Sequence, residues 1–233
     1  MQIVLLCGGL GTRISKIAKN NPKGMIEINN RPFISYILRS LETYRFKNIH
    51  FCLGFKSDKY LAHLTENYSH LNFTYSVEDC NQLLGTGGAI KNCLNLLDKN
   101  FIIQYGDTIL ELDYKKFFKL HLQNNKSMTM SILNSSKTHE TPNLLCKKSS
   151  ERNLSCIYNK KKPPLNANFI DYGAIVFKKE IFEKIEKKIF DLSDLQEELT
   201  LKNECNFYEV DNKYIEIGNP LSFEKAKTEL DDF

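Results

Sequence analysis

The sequence has no tryptophan and little glycine or proline, 11 and 6 among 233 residues. Glycine below the usual ~7% excludes collagen-like and low-complexity chains. Paired cysteines are also missing: the seven (Cys7, Cys52, Cys80, Cys93, Cys146, Cys156, Cys205) form no C-x-x-C motif and no recurring spacing. An odd count, with several inside apolar runs such as Phe51-Cys52-Leu53, predicts reduced, buried thiols in a reducing cytosol and no structural zinc site. The apolar start, Met1 to Cys7, lacks a basic flank and breaks at Gly8. It is too short for a signal peptide or a membrane span, so a cytoplasmic protein without membrane contact is expected. Charge of one sign is scarce, since Lys+Arg 32 against Asp+Glu 28 leaves a net +4. The basic clusters, Lys147-Lys148 with Arg152 and Lys160-Lys161-Lys162, read as solvated loop faces, and no nucleic-acid partner is expected.

What is present is ordinary for a soluble globular protein, with 42% hydrophobic and 26% charged residues. The first half alternates strand and helix patterns. Ile3–Leu6 is a short apolar run of the kind covered on both faces. A helix follows over 32–44, with Phe33, Ile37, Leu38 and Leu41 at helical spacing. Strands are predicted at 49–53, 73–77 and 101–105, with helices at 58–68 and 88–97. The second half predicts a helix over 113–122, a strand at 128–133, hairpins and loops over the polar stretch 134–164, a strand at 172–177, helices through Lys202, and a last helix over 220–230. The fold class expected is α/β, a Rossmann-like, mainly parallel sheet with helices on both faces plus a smaller lobe. No linker splits the chain, so one domain over 1–233 is expected, with halves of about 1–125 and 126–233.

The turn after the first strand is Gly8-Gly9-Leu10-Gly11-Thr12-Arg13. Such a turn exposes backbone N–H groups that can cradle phosphate oxygens. It is not the dinucleotide fingerprint G-x-G-x-x-G, because Ile14 occupies the third glycine position, and no Gly-Lys-Ser/Thr triplet makes it a P-loop. Taken alone it also fits a tight turn without a ligand. In Asn21-Pro22-Lys23-Gly24-Met25 the proline stiffens the backbone from which Lys23 projects. Arg13 and Lys23 near a phosphate-binding turn can neutralise a triphosphate. Leu84-Gly85-Thr86-Gly87-Gly88-Ala89 places three glycines where a helix opens, allowing close backbone approach to a ligand. Asp107 ends the fourth strand, where open α/β sheets place ligands and Mg²⁺.

Gly8–Arg13 followed by Pro22-Lys23 resembles the G-G-x-G-T-R…P-K signature of the sugar-1-phosphate nucleotidyltransferases, with Ile14 where Leu is usual and Gly24 where Pro often stands. The resemblance continues in family order to Pro220. Residues 84–89 are similar to the L-G-T-[AG]-G-A element, which contacts the base through backbone groups. Tyr105-Gly106-Asp107 is similar to the G-D metal motif, and Tyr214–Pro220 to W-x-D-I-G-x-P, with Glu216 in place of the second metal-binding Asp. The resemblance implies a nucleotide site of Leu6, Gly8, Gly9, Gly11, Thr12, Glu78, Gln82, Gly85, Thr86 and Gly87, with Mg²⁺ on Asp107 and Glu216. For Gln82 a solvated loop position, and for Glu216 a helix-capping or solvent role, stay open. On the sugar side it implies Asp171 and Gly173 in Phe169–Gly173. It also implies one lysine of Tyr158-Asn159-Lys160-Lys161-Lys162-Pro163, compared with F-x-E-K-P: the aromatic selects Lys161, the proline Lys162, and Lys160 stands at the glutamate. Lys161 is preferred.

The activity implied is in-line attack of a sugar 1-phosphate on the α-phosphorus of a nucleoside triphosphate, releasing pyrophosphate. Arg13 would then stabilise the leaving pyrophosphate and Lys23 would bridge the α-phosphate and the incoming phosphate. The short chain and the L-G-T-G-G element look most like enzymes that join GTP to heptose or mannose 1-phosphate for bacterial surface polysaccharides. Uridylyl-, thymidylyl- or cytidylyltransfer stays open, as do a non-catalytic nucleotide-sugar-binding homologue and a homo-oligomer.

Overall fold

Gln2–Leu6 forms strand β1, buried because parallel neighbours flank it on both edges. Its side chains alternate between two cores: Ile3 and Leu5 enter a cluster with Phe33, Ile37 and Leu41, while Val4 enters another with Ile90, Leu195 and Leu199. A strand apolar on both faces therefore needs a helix layer on each side. The computed structural model describes residues 1–79, 81–150, 153–212 and 214–231, so Cys80 and Arg152 lie outside the described residues.

After β1 come a short helix α1 (Ser15–Ala18), a two-strand turn of β2 (Glu27–Ile28) and β3 (Arg31–Pro32), and helix α2 (Phe33–Thr43). The βα alternation continues with β4 (Asn48–Leu53), α3 (Ser57–Asn67), β5 (Phe73–Val77), α4 (Gly85–Asn92) and β6 (Asn100–Tyr105). Then follow β7 (Thr108–Leu110), α5 (Tyr114–Gln123), whose N-cap Asp113 accepts the Lys116 N–H, and β8 (Met128–Asn134). The hairpin β9 (Leu144–Ser150) and β10 (Asn153–Tyr158) precedes β11 (Phe169–Lys178). The chain closes with α6 (Lys179–Glu183), α7 (Leu192–Leu201), β12 (Cys205–Val210), β13 (Tyr214–Glu216) and α8 (Pro220–Glu229). Among the described residues no helix is long and apolar enough to cross a membrane.

The central sheet is parallel through β5-β4-β1-β6, then turns antiparallel at β11, which pairs with both β6 and β8; β12 joins β8 in parallel. The sheet is therefore mixed, with the parallel part expected from the βα alternation at its centre. β11 breaks register with β8 between Asp171, which still pairs with Ile132, and Ile175, so Gly173 falls in the irregular stretch. β13 pairs with β7 and sets Glu216 opposite Thr108, bringing the end of the chain beside the end of β6.

Two expectations are corrected. Helix α4 begins at Gly85 rather than Gly88, because the glycines that lower helix propensity are held by contacts with residues 188–191. Nor are all cysteines reduced thiols. Cys146 and Cys156 sit directly opposite in the β9–β10 register, with Cα atoms 4.1 Å apart, and are bonded to each other. Hairpin register, not linear spacing, brings them together. Cys7, Cys52, Cys93 and Cys205 are free and buried.

Candidate active site

The carboxyl ends of β1 and β6 open into a cleft of about 520 Å³, where parallel α/β sheets bind ligands. The first glycine turn forms one wall. Its backbone lies so close to its support that a Cβ on Gly54 would stand 2.8 Å from the Gly8 carbonyl oxygen, and one on Gly8 would stand 2.5 Å from Glu78 Oε1. Glu78 Oε2 accepts the Leu84 N–H at 3.0 Å. One carboxylate thus ties the phosphate-type turn to the loop that opens α4.

Arg13 and Lys23 both line this cleft. Lys23 Nζ forms an ion pair with Asp107 Oδ2, with both side chains largely shielded from solvent. The segment carrying Lys23 is fixed by a contact the sequence did not reveal. The Gly24 N–H donates to Tyr60 Oη at 3.0 Å, and Tyr60 is 1% exposed. A Cβ at residue 24 would lie 2.5 Å from that hydroxyl. Where a proline would stiffen the backbone by its ring, this chain uses a buried hydrogen bond that proline has no N–H to make.

Asp107 follows β6, and Glu216 lies on β13, which pairs across β7; the Ile217 N–H donates to the Asp107 carbonyl oxygen at 3.1 Å. Burial pushes the Glu216 carboxyl above its ordinary value, and the carboxylates of Glu140 and Asp107 push it further; the Ser222 hydroxyl and Lys23 oppose this. Carboxylate oxygens with partly uncompensated negative charge are the donor set a hard divalent cation takes, so Asp107 and Glu216 fit Mg²⁺.

On the opposite wall, Asp171 Oδ1 accepts the Gly173 N–H at 3.0 Å and Oδ2 accepts Gln196 Nε2 at 2.9 Å. Burial raises its carboxyl, opposed by those two bonds and by Lys160. The two thiols at the cleft are both raised above their ordinary value. Burial pushes Cys7 up to about 12, with Asp107 adding, and Cys52 is raised by its hydrogen bond to Cys93 and by burial.

Most residues singled out from the sequence meet in this one cleft: Leu6, Gly8, Gly9, Gly11, Thr12, Arg13, Lys23, Glu78, Gly85, Thr86, Asp107, Asp171, Gly173 and Glu216. Three do not. Gln82 is exposed on the loop before α4. Gly87 is buried against Phe190: its N–H donates to the Phe190 carbonyl at 3.0 Å, and a Cβ would stand 2.2 Å from the ring. Lys161 points to solvent and pairs with Asp194. Of Lys160, Lys161 and Lys162, the one that lines the cleft is Lys160, whose ammonium lies 5.7 Å from the Tyr105 ring centroid. Tyr158, 1% exposed, ends β10 at the cleft, and Asn159 Oδ1 then accepts the N–H groups of Lys161 and Lys162, at 3.0 and 2.7 Å, in a turn that strand alternation does not describe. Tyr60 and Glu140 carried no sequence signal.

Comparison with known proteins places this geometry in a family. The family model described as Nucleotidyl transferase matches residues 2–231. A D-glycero-alpha-D-manno-heptose 1-phosphate guanylyltransferase of Aneurinibacillus thermoaerophilus is 30% identical, over 100% of both chains. One of the same description from Campylobacter jejuni is 28% identical over 96% of this chain and 97% of its own. The crystal structure of HddC from Yersinia pseudotuberculosis complexed with GMP-PN superposes with a TM-score of 0.76 at 25% identity, covering 98% of each chain. With the match extending over nearly its whole length, the chain belongs to the nucleotidyl transferase family.

Proposed function

We propose that this protein transfers the guanylyl group of GTP to a heptose 1-phosphate, releasing pyrophosphate, in the cytoplasm and for bacterial surface polysaccharide synthesis. The observation that carries the reaction is the convergence of Arg13, Lys23, Asp107 and Glu216 on one cleft at the sheet's carboxyl ends. The base and sugar follow from the names of relatives that align over the full chain.

The glycine turn from Gly8 to Gly11 receives the phosphates, and Gly85 and Thr86 form the wall on which the base rests. Arg13 sits behind the turn to take up charge on the departing pyrophosphate. Lys23, resting on Asp107 in the free protein, is exchanged to phosphate oxygens when substrate enters, bridging the α-phosphate and the incoming sugar phosphate. Asp107 and Glu216 would hold Mg²⁺, which supplies charge neutralisation on the phosphates. Lys160 replaces Lys161 as the cation for the sugar phosphate, and Asp171 and Gly173 present polar atoms to sugar hydroxyls. No covalent enzyme intermediate is required, so rate comes from positioning and electrostatics.

The test is pyrophosphate release with Mg²⁺ across GTP, UTP, CTP, dTTP and ATP against a panel of sugar 1-phosphates. GTP with heptose 1-phosphate is expected to give the highest kcat/KM, and Lys23→Ala or Asp107→Ala to slow it by roughly 10²–10³-fold. A different preferred pair would refute the substrate assignment. Nucleotide-sugar binding without turnover in any combination would make the protein a non-catalytic homologue.

A further inference from the structure

We infer that His50, Cys52 and Cys93 form a second metal site, buried behind the cleft and suited to a thiophilic divalent cation such as Zn²⁺. Their ligand atoms all lie within 4.8 Å of one another. His50 and Cys52 are two apart on β4 and share one face of the strand; Cys93 is the residue that ends α4. The sequence offered no zinc pattern because the third ligand comes from another element, 41 residues beyond Cys52.

The geometry decides between two uses of such a pair. Cys52 Sγ and Cys93 Sγ are 3.7 Å apart. Two sulfurs on one tetrahedral zinc, each ~2.3 Å from the metal, stand ~3.8 Å from each other. A disulfide would require them to close to ~2.05 Å. The thiols therefore already have the separation of a chelate. The imidazole is held as well: Nδ1 lies 2.8 Å from Thr74 Oγ1 and Nε2 lies 3.1 Å from Ser76 Oγ, both hydroxyls on β5. A metal on one ring nitrogen would displace the hydroxyl now against it and leave the other hydroxyl as the outer partner that orients a metal-bound histidine.

Charge and ligand chemistry agree with this geometry. His50, Cys52 and Cys93 are 0%, 2% and 1% exposed, so a net charge there would be costly. A divalent cation with two thiolates and a neutral imidazole sums to zero. Binding would displace both thiol protons to solvent. Sulfur ligands discriminate against the Mg²⁺ proposed for Asp107 and Glu216. Cys52 also lines the cleft, the side from which the cation and a fourth ligand such as water would enter. Occupancy would join β4 to α4, the helix whose first residues, Gly85 and Thr86, form the cleft wall.

The test uses reduced, metal-stripped full-length protein titrated with Co²⁺, without nucleotide or Mg²⁺. Thiolate-to-cobalt charge-transfer absorption is expected, saturating at roughly one equivalent per chain as a single cluster demands and displaced by Zn²⁺. Cys93→Ser should weaken binding by more than the about 10–100-fold typical of outer partners, and His50→Gln should also weaken it. Circular dichroism checks that each variant is folded. Cys205→Ser and Asp107→Asn, outside the cluster, should retain the band. Absence of the band in folded wild-type protein overturns the site. So does its persistence in both cluster variants, or its equal loss in Cys205→Ser.

Discussion

The contact between Gly24 and Tyr60 makes a quantitative claim about what holds the segment that carries Lys23. Tyr60→Phe removes only the hydroxyl and leaves the Gly24 N–H without its acceptor in a buried place, at a cost of about 1–3 kcal/mol. Gly24→Ala drives a methyl to 2.5 Å from the same hydroxyl, and overpacking of this kind costs about 1–3 kcal/mol. Combined, the two changes should cost less than their sum. The hydroxyl that clashes is gone, and the nearest remaining ring atoms stand at 3.1 and 3.2 Å, a contact that small shifts absorb. The expected coupling is about 0.5–3 kcal/mol, favourable to the double variant. Urea unfolding of the four proteins measures it, with each kcal/mol also moving Tm by roughly 2–4 °C for a chain of this size. Because Lys23 precedes Gly24 directly, kcat should fall in each single variant and in the pair stay near that of Tyr60→Phe, which lacks the same hydrogen bond, while KM for the sugar phosphate changes little. Additivity within about 0.3–0.5 kcal/mol would refute the idea that Gly24 and Tyr60 are coupled through this one hydroxyl.

Other outcomes follow from the opposite wall. Lys160→Met should raise KM for the sugar phosphate by about 10–150-fold, the value of a charge-assisted hydrogen bond, and leave KM for the nucleotide nearly unchanged. Lys161→Met should stay within about twofold, since its exposed pair with Asp194 belongs to a class worth roughly 0–1 kcal/mol. Equal effects of the two in steady-state kinetics would refute the assignment of Lys160. Asp171 has its folded-state pKa raised, chiefly by burial, so its contribution to stability is present below the ordinary aspartate value and lost as pH rises through the folded value. Asp171→Asn should therefore raise the urea midpoint near neutral pH, with the gain vanishing in acid. The new amide can donate to Gln196 Oε1, a buried atom without a partner among the described residues, once the Gln196 amide that now donates Nε2 to Asp171 turns over. A variant destabilised at neutral pH but not in acid would contradict this sign.

The parallel half of the sheet was legible because its signal is local. β1, β4 and β6 are apolar runs bounded by turn residues, and the helices between them show one apolar face, as α2 does through Phe33, Ile37, Leu38 and Leu41. The residues around β1 and β6 were legible for a related reason: their chemistry sits in short contiguous segments, Gly8–Arg13, Pro22-Lys23 and Gly106-Asp107. What depended on register or on a turn was not. The Cys146–Cys156 bond is set by how the β9–β10 hairpin pairs. Which of Lys160, Lys161 and Lys162 reaches the cleft is set by the turn after β10, where Asn159 Oδ1 accepts the N–H groups of Lys161 and Lys162. No count along the chain distinguishes these cases.

The glycines show the same limit from another side. The sequence reading gave Gly85, Gly87 and Gly88 one purpose, close approach of backbone to a ligand. Close approach is indeed what they permit, but the approaching group is the chain itself: added Cβ atoms would stand 2.6 Å from the Phe190 carbonyl oxygen, 2.2 Å from the Phe190 ring and 2.4 Å from the Lys188 carbonyl oxygen. The α4 wall is therefore shaped by a segment about a hundred residues further along, anchored where the Leu192 N–H donates to Thr86 Oγ1 at 2.8 Å. Gly9 is the contrast, with nothing within 4 Å of its missing side chain although it lines the cleft. A glycine in a sequence signals that something must come near; only the fold distinguishes a position filled by the protein from one left open to a substrate. By that criterion the turn from Gly8 to Gly11 faces open space at Gly9, and the second glycine cluster acts as scaffold for Gly85 and Thr86 at its cleft edge.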